Sequence, residues 1–185
     1  MHIYTGERLA LFIDGPALSD MCHALNFKLD YKRLLLLFRE RGQLVTALYF
    51  TSVVDDGRSV HLQPLLDWLS YNGFTVVTKL TKPKGKGGDI GRETESIAVE
   101  LSIRAVQVAR SVDHIVLVSG NGDLRCLVDA LQGSGKRVSV VSTLRSSPSM
   151  ISDALRRQVD QFIELAELIP IVSADVPSPA VASAS

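Results

Sequence analysis

The chain has 185 residues, of which 46% are hydrophobic and 22% are charged, a balance typical of a single soluble globular domain. Its 20 basic and 20 acidic residues cancel, which excludes a chain-wide cationic surface and confines any nucleic-acid contact to a local basic patch. No basic segment followed by an apolar stretch opens the chain, and no apolar run is long enough to span a bilayer, so we expect no membrane contact and a cytoplasmic location. Cys22 and Cys126 have neither metal-ligand spacing nor a disulfide framework, and we expect two buried thiols.

Predicted strands and helices alternate along the chain. In chain order they are a strand at 9–13, helices at 17–25 and 31–41, a strand at 43–52, a turn at 55–58, a helix at 61–71, a strand at 74–78, a long helix at 94–110, a strand at 114–118, a helix at 123–133, a strand at 137–142 and a helix at 149–159. Residues 161–165 fit either a short edge strand or the start of another turn. This βαβ alternation predicts an α/β fold, with a mostly parallel central sheet and helices on both faces.

Two segments depart from the alternation. Residues 79–91 are rich in lysine, glycine and proline, cannot build a core and are expected to form a mobile loop. Residues 171–185 are mostly alanine, serine, proline and valine and are expected to be a disordered tail. We therefore predict one domain over residues 1–170.

Two apolar runs end in an acidic residue beside glycine. Asp14 follows the run at 9–13, and Asp123 closes the Ser-Gly-Asn-Gly-Asp segment that follows the run at 114–118. Ligands of parallel sheets bind beyond the carboxyl ends of the strands, so the sequence predicts that Asp14 and Asp123 converge there. Paired carboxylates in such a place are the usual beginning of a Mg²⁺ or Mn²⁺ site for phosphodiester chemistry.

Several separated segments resemble the NYN domain family, in particular its bacterial LabA-like branch. They are Leu-Phe-Ile-Asp-Gly at 11–15, Trp-Leu-Ser-Tyr-Asn-Gly-Phe at 68–74 and the strand regions at 112–120 and 138–143. The resemblance covers roughly residues 8–168, with the segments in matching order and spacing. It implies a three-layer, PIN-like (Rossmannoid) fold. It also implies a relation to Mg²⁺-dependent ribonucleases that carry an aspartate cluster at the carboxyl edge of the sheet.

The resemblance weakens at the acidic positions. Asp14 and Asp123 match the family pattern and are the candidate catalytic and metal-binding remnant. The other polar or acidic positions of the family motifs are occupied by Ala17, Ala98, Arg104 and Asn121. The resemblance therefore implies a degenerate site that holds a metal weakly, if at all.

Arg104 introduces a positive charge at a position where the family carries an aspartate. Two unit charges ~4 Å apart interact by about 4 kcal/mol at an effective dielectric constant near 20, so a guanidinium there would repel a metal ion. One hypothesis places the Arg104 guanidinium in the metal position, paired with Asp14 or Asp123. The alternative pairs Arg104 with Glu100, one helical turn earlier. Three further acids could supply replacement ligands or could simply be solvated: Asp89, Glu93 and Glu95.

A basic segment is the candidate RNA contact. Its cations are interleaved with glycine, which keeps the backbone pliable, and they are Lys79, Lys82, Lys84, Lys86 and Arg92. Such contacts to phosphate give affinity that depends on salt but not on base sequence. A solubilising loop is the alternative. Trp68 and Tyr71 lie in an apolar stripe and are expected to belong to the core rather than to a base-stacking surface.

Three functions remain open at this point. The first is an NYN protein that has lost most or all catalysis and binds RNA or a protein partner, with no resident cofactor. The second is a weak RNA nuclease that uses Mg²⁺ or Mn²⁺ through rearranged ligands. The third is an assembly role without RNA, in which the partner is another protein or a second copy of the chain.

Overall fold

The computed structural model describes residues 1–4, 6–54, 61–81 and 92–175, and its centre is a six-stranded sheet in which every strand is parallel. The strands are β1 (Arg8–Asp14), β2 (Gln43–Val54), β3 (Thr75–Thr81), β4 (His114–Val118), β5 (Arg137–Ser142) and β6 (Gln161–Glu164). Their order across the sheet is β3-β2-β1-β4-β5-β6, so β1 and β4 lie side by side in the middle. This arrangement confirms the predicted α/β fold.

Within the described residues, seven α-helices cover the sheet. They are α1 (Gly15–Ala24), α2 (Tyr31–Arg41), α3 (Gln63–Tyr71), α4 (Arg92–Val108), α5 (Arg125–Gly133), α6 (Asp153–Gln158) and α7 (Leu165–Val172). The start of α2 shows how local sequence sets a boundary, because the Asp30 carboxylate accepts hydrogen bonds from the backbone N–H groups of Lys32 and Arg33. Within the described ranges, no helix combines the length and the apolar character needed to cross a membrane.

The side chains of β1 divide between two apolar layers. Ala10 and Phe12 point into the layer formed with α4, α5 and α6, where Phe12 stacks on Phe50 with ring centroids 5.9 Å apart. Leu11 and Ile13 point to the opposite face, into the layer formed with α1, α2, α3 and α7. Since β1 is buried on both faces, it reads as a continuous apolar run rather than as an alternating one. The three-layer architecture is therefore encoded in the pattern of its central strand.

The remaining elements differ from the sequence prediction in extent. β3 continues to Thr81, so Lys79 belongs to a strand and not to the expected loop. The helix predicted at 149–159 is confined to Asp153–Gln158, because residues 149–152 form a loop packed against the end of β4. The turn predicted at 55–58 lies outside the described residues.

The carboxyl-terminal part of the chain is more ordered than expected up to residue 175. α7 passes the predicted domain boundary at residue 170, and Val172 and Ser173 are buried. Backbone pairing with Leu29 and a hydrogen bond from Ala174 N–H to the carbonyl of Lys28 hold this segment against the link between α1 and α2. The rest of the predicted tail lies outside the described residues.

Three burial predictions were wrong. Cys126 is exposed on α5, whereas Cys22 is half-buried. Trp68 is 38% exposed and Tyr71 is 89% exposed, because α3 turns Leu66 and Leu69 toward the sheet and leaves both aromatic side chains on its outer side. The side of α3 that packs on the sheet therefore includes Leu66 and Leu69 but neither of the two aromatic residues.

Candidate functional site

The middle of the sheet is a topological switch point. From β1 the chain builds β2 and β3 on one side, and from β4 it builds β5 and β6 on the other. The connections that leave the carboxyl ends of β1 and β4 therefore diverge, and the crevice between them is where open α/β sheets bind ligands. Asp14 is the last residue of β1, and the segment that begins at Ser119 follows β4.

Asp14 is only 3% exposed and uses both of its carboxylate oxygens within the protein. Oδ1 accepts a hydrogen bond of 3.1 Å from the backbone N–H of Ala17, which makes Asp14 the N-cap of α1. Oδ2 accepts a hydrogen bond of 3.0 Å from the hydroxyl of Ser119. Burial raises the pKa of Asp14 despite these two hydrogen bonds, which act in the opposite direction, and the charge of Asp20 raises it further. This carboxylate is a buried structural group.

A tyrosine from β2 closes one side of Asp14. A Cβ added at Gly15 would lie 2.6 Å from the ring and hydroxyl of Tyr49, so only glycine allows the first residue of α1 to lie so close to β2. The Tyr49 hydroxyl is hydrogen-bonded to Tyr31, and burial raises the pKa of both phenols. The charge of Asp14 raises the pKa of Tyr49 as well. The surroundings of Asp14 on this side are therefore aromatic and closed.

The loop that precedes α6 closes the end of β4. A Cβ added at Gly120 would overlap the carbonyl oxygen of Met150, and Ser152 N–H donates a hydrogen bond of 3.0 Å to the carbonyl of Gly120. The Ser142 hydroxyl donates to the Met150 carbonyl at 3.0 Å, which fastens this loop to the end of β5. The space directly above Gly120 is thus filled by backbone and is closed to a substrate phosphate. The Ser-Gly-Asn-Gly segment was the sequence signal for this close approach.

Asp123 lies in different surroundings from Asp14. It is exposed in a groove between α4 and α5, where Ser102, Ile103, Val106 and Cys126 are among its neighbours. The convergence of the two carboxylates stays a prediction. The described residues contain no group of three or more histidine, cysteine, aspartate or glutamate side chains that could hold a metal ion.

Three of the other positions that the family resemblance singled out have structural roles. The backbone N–H of Ala17 binds Asp14, and Ala98 is buried against the sheet. The Asn121 side chain accepts a hydrogen bond of 3.0 Å from the N–H of Asp123 and so caps the 3₁₀ turn Gly122–Leu124. Its own N–H donates at 3.2 Å to the Ser119 hydroxyl, which therefore links Asn121 to the buried carboxylate of β1.

The Arg104 guanidinium does not pair with Asp14 or Asp123, although one hypothesis from the sequence expected this. Its side chain is exposed on α4 and lines a surface groove together with Lys79, Glu100 and Gln107. Within the part of the chain that the structure describes, no ion pair joins Arg104 to Asp14, to Asp123 or to Glu100. The positive charge therefore faces solvent, because its helical position lies on the outer side of α4.

The basic candidates can be placed only in part. Lys79 is exposed near the carboxyl end of the edge strand β3, and Arg92 is the first residue of α4. Lys82, Lys84 and Lys86, with the candidate acid Asp89, lie outside the described residues. The side chains of Glu93 and Glu95, the other two candidate acids, are not described.

A parallel sheet with helices on both faces and its switch point between β1 and β4 defines a protein of the PIN-like α/β class. The NYN domain model matches residues 8–167, and the chain belongs to the NYN domain family. It is 30% identical to the low amplitude and bright protein LabA of Synechococcus elongatus, over 94% of this chain and 97% of that protein. A crystal structure of a protein of unknown function from Vibrio parahaemolyticus has the same fold, with a TM-score of 0.69 and 23% identity over 89% of this chain and 96% of that one.

The described residues do not fit the divalent metal ion that a ribonuclease-like family implies. A metal ligand needs a lone pair directed into an accessible cavity, whereas the Asp14 side chain is buried and each of its oxygens already accepts a hydrogen bond. The second retained acid, Asp123, lies in the groove between α4 and α5. Among the described residues, neither acid belongs to a group of three or more side chains that could hold a metal ion.

Proposed function

We propose that this NYN protein has lost RNA hydrolysis and acts in the cytoplasm by binding RNA phosphates through the basic segment 79–92, which runs from the last residues of β3 to the first residue of α4. The engagement of Asp14 is the observation that carries the proposal. Asp14 is 3% exposed, and each of its oxygens already accepts one hydrogen bond, from Ala17 or from Ser119. Hydrogen bonds to charged groups contribute about 1.5–3 kcal/mol each, so moving this carboxylate out of its buried position toward a metal ion opposes the fold.

The loss of neighbouring acids removes what could compensate for that competition. Mg²⁺ dehydrates reluctantly and is held by carboxylates together with substrate phosphates. Here Ala98 and Arg104 stand where the family resemblance places aspartates, so neither position supplies a carboxylate. A site with one engaged carboxylate is too weak to position an attacking water.

The RNA part of the proposal rests on the position of Lys79. This exposed lysine lies near the carboxyl end of β3, at the edge of the sheet where PIN-like folds present their ligand site. Lys82, Lys84 and Lys86 follow directly in sequence, and Arg92 begins α4. Five cations within 14 positions concentrate charge locally in a chain whose net charge is zero. Such a segment binds the backbone of RNA without reading its bases.

Fluorescence anisotropy with labelled single-stranded and hairpin RNA tests the binding. We expect affinity that falls steeply with added salt and differs little between sequences. Lys79→Ala should weaken binding uniformly and reduce the slope of log K against log [salt] by about 1. Lys32→Ala removes an equal charge from the exposed face of α2 and is the matched control. Absence of binding at low salt refutes the RNA part and leaves an assembly role.

A cleavage assay with Mg²⁺ or Mn²⁺ on the same RNAs tests the loss of catalysis. We expect no cleavage above that of a buffer control. Metal-dependent cleavage that disappears in Asp14→Asn would refute the proposal and would establish the weak nuclease instead. Cleavage that survives Asp14→Asn comes from a contaminant or from a different site.

A further inference from the structure

The outer face of α4 is apolar. Val99, Ile103 and Val106 are 61%, 55% and 53% exposed and follow one another at the i, i+4, i+7 spacing of a single helical stripe. The inner face is also apolar, since Leu101 and Ala105 are fully buried against the sheet. Surface helices ordinarily carry polar residues opposite their core face, and valine and isoleucine are poor helix formers. An apolar ridge of this kind marks an interaction surface.

Opposite charges lie on one flank of this ridge. Glu100 and Arg104 are one helical turn apart on the side of α4 that faces Lys79, and together with Val99 and Ile103 they line one groove. No ion pair between the two charges is present among the described residues. The other flank opens into the groove between α4 and α5, whose lining includes Asp123 and Cys126. Among the described residues, α4 itself therefore carries a pair of opposite charges on one flank of the ridge.

We propose that this face binds a second copy of the chain, with the two α4 helices antiparallel across a two-fold axis. The centre of the apolar stripe and the midpoint between Glu100 and Arg104 both fall at residues 102–103. A two-fold axis at that level sets Val99 opposite Val106 of the second copy and places the two Ile103 side chains beside each other. The proposal is independent of RNA binding.

The same axis also brings opposite charges of the two copies together. In an antiparallel helix pair related by a two-fold axis, like flanks meet, so the Glu100 and Arg104 flank of one copy faces the same flank of the other. Glu100 then lies within about one residue rise, 1.5 Å, of the level of Arg104 in the second copy. The contact is reciprocal, and each dimer contains it twice. An unrelated partner would not require the apolar and charged centres to coincide.

Sedimentation equilibrium and light scattering on the full chain test the dimer. One helix pair is at the small end of specific interfaces, so we expect reversible association at micromolar concentrations. Ile103→Lys should weaken the dimer roughly tenfold or more, because the substituted side chain occurs twice at the centre of the interface. Leu36→Lys, at a 42% exposed position of α2, is the matched control and should leave association unchanged. Circular dichroism checks that both variants are folded.

A charge exchange tests the register of the two helices. Glu100→Arg alone and Arg104→Glu alone each place like charges opposite one another and should weaken association. The double variant restores the opposite pairs and should recover most of the wild-type affinity. Recovery distinguishes this arrangement from a general loss of solubility or folding. Failure of the double variant to recover would overturn the proposed axis.

Two further results would overturn the proposal. If the wild-type chain stays monomeric at concentrations on the order of several hundred micromolar, which exceed the dissociation constants of weak dimers, the ridge binds a different partner. A dimer that Ile103→Lys leaves intact places the interface on a different face.

Discussion

Replacement of Asp14 by alanine or by asparagine separates the capping role of this side chain from a metal-binding role. Alanine removes the N-cap of α1, which contributes about 1 kcal/mol. It also leaves the buried Ser119 hydroxyl without its acceptor, at a penalty of about 1–3 kcal/mol. We expect Asp14→Ala to lower the free energy of unfolding by about 2–4 kcal/mol, measured by urea denaturation, and to lower Tm by roughly 5–10 °C.

Asparagine should be tolerated at the same position. Its Oδ1 can still accept a hydrogen bond from Ala17 N–H, and its amide can donate to the Ser119 oxygen, so the free energy of unfolding should change by no more than about 1 kcal/mol.

The pH dependence of the stability gives a second test of Asp14. Because the native pKa of Asp14 is raised, the folded state holds this proton more tightly than the unfolded state. The wild type therefore loses stability as pH rises through the window between 3.8 and the raised pKa. Relative to wild type, Asp14→Asn should be more stable at pH 7 than near pH 4.

Metal addition completes this experiment. A ligand present at 100 times its Kd stabilises the native state by about 2.7 kcal/mol, which thermal unfolding detects easily. We expect millimolar Mn²⁺ to leave the Tm of the wild type unchanged. A rise in Tm that Asp14→Asn abolishes would refute the structural interpretation of Asp14. So would a loss of stability in Asp14→Asn as large as that in Asp14→Ala.

Two further predictions concern the loops and the thiols. Gly120→Ala forces the backbone at Met150 to move and should destabilise the fold by about 1–3 kcal/mol in urea denaturation. The control Gly133→Ala lies at an open position of α5 and should stabilise the fold by up to about 1 kcal/mol, so equal effects of the two variants would contradict the close packing above Gly120. Thiol labelling at pH 8 should show one fast cysteine, the exposed Cys126, and one slow cysteine, Cys22. Burial raises the pKa of Cys22 to about 11, which lowers its thiolate fraction on the order of 100-fold. Two equally fast thiols would contradict the burial of Cys22.

The central strands and α2 could be predicted closely from sequence. The bounds predicted for β4, β5 and α2 agree with the structure because strong physical signals mark them. β4 is a short apolar run buried on both faces, and α2 begins after the capping Asp30 and ends at Gly42. Such signals are local and do not depend on the rest of the fold. α7 was missed because Pro170 interrupts its pattern and because its buried residues belong to an apolar layer shared with α2, which is distant in sequence.

The candidate site shows where sequence reasoning reaches its limit. An aspartate at the end of a buried strand is equally suited to bind a metal and to cap the next helix, and Asp14 is followed by Gly15 and Pro16, a typical helix start. The choice between these roles depends on Ser119, which lies 105 residues away in sequence. The outward direction of Arg104 likewise follows from the rotation of α4 against the sheet. Neither the contact of Asp14 with Ser119 nor the rotation of α4 can be predicted from the spacing of neighbouring residues.

The bond between Asp14 and Ser119 also has a consequence for the order of folding. The strand order divides the chain into two sequential halves, β1 to β3 and β4 to β6, and their strands are paired across the boundary between β1 and β4. Each half can form from neighbouring segments, whereas the contact at the boundary closes a loop of about a hundred residues. The cap of α1 thus receives its second partner only after the halves dock. In pulse-labelling hydrogen exchange, the Ala17 amide should gain full protection with this late step.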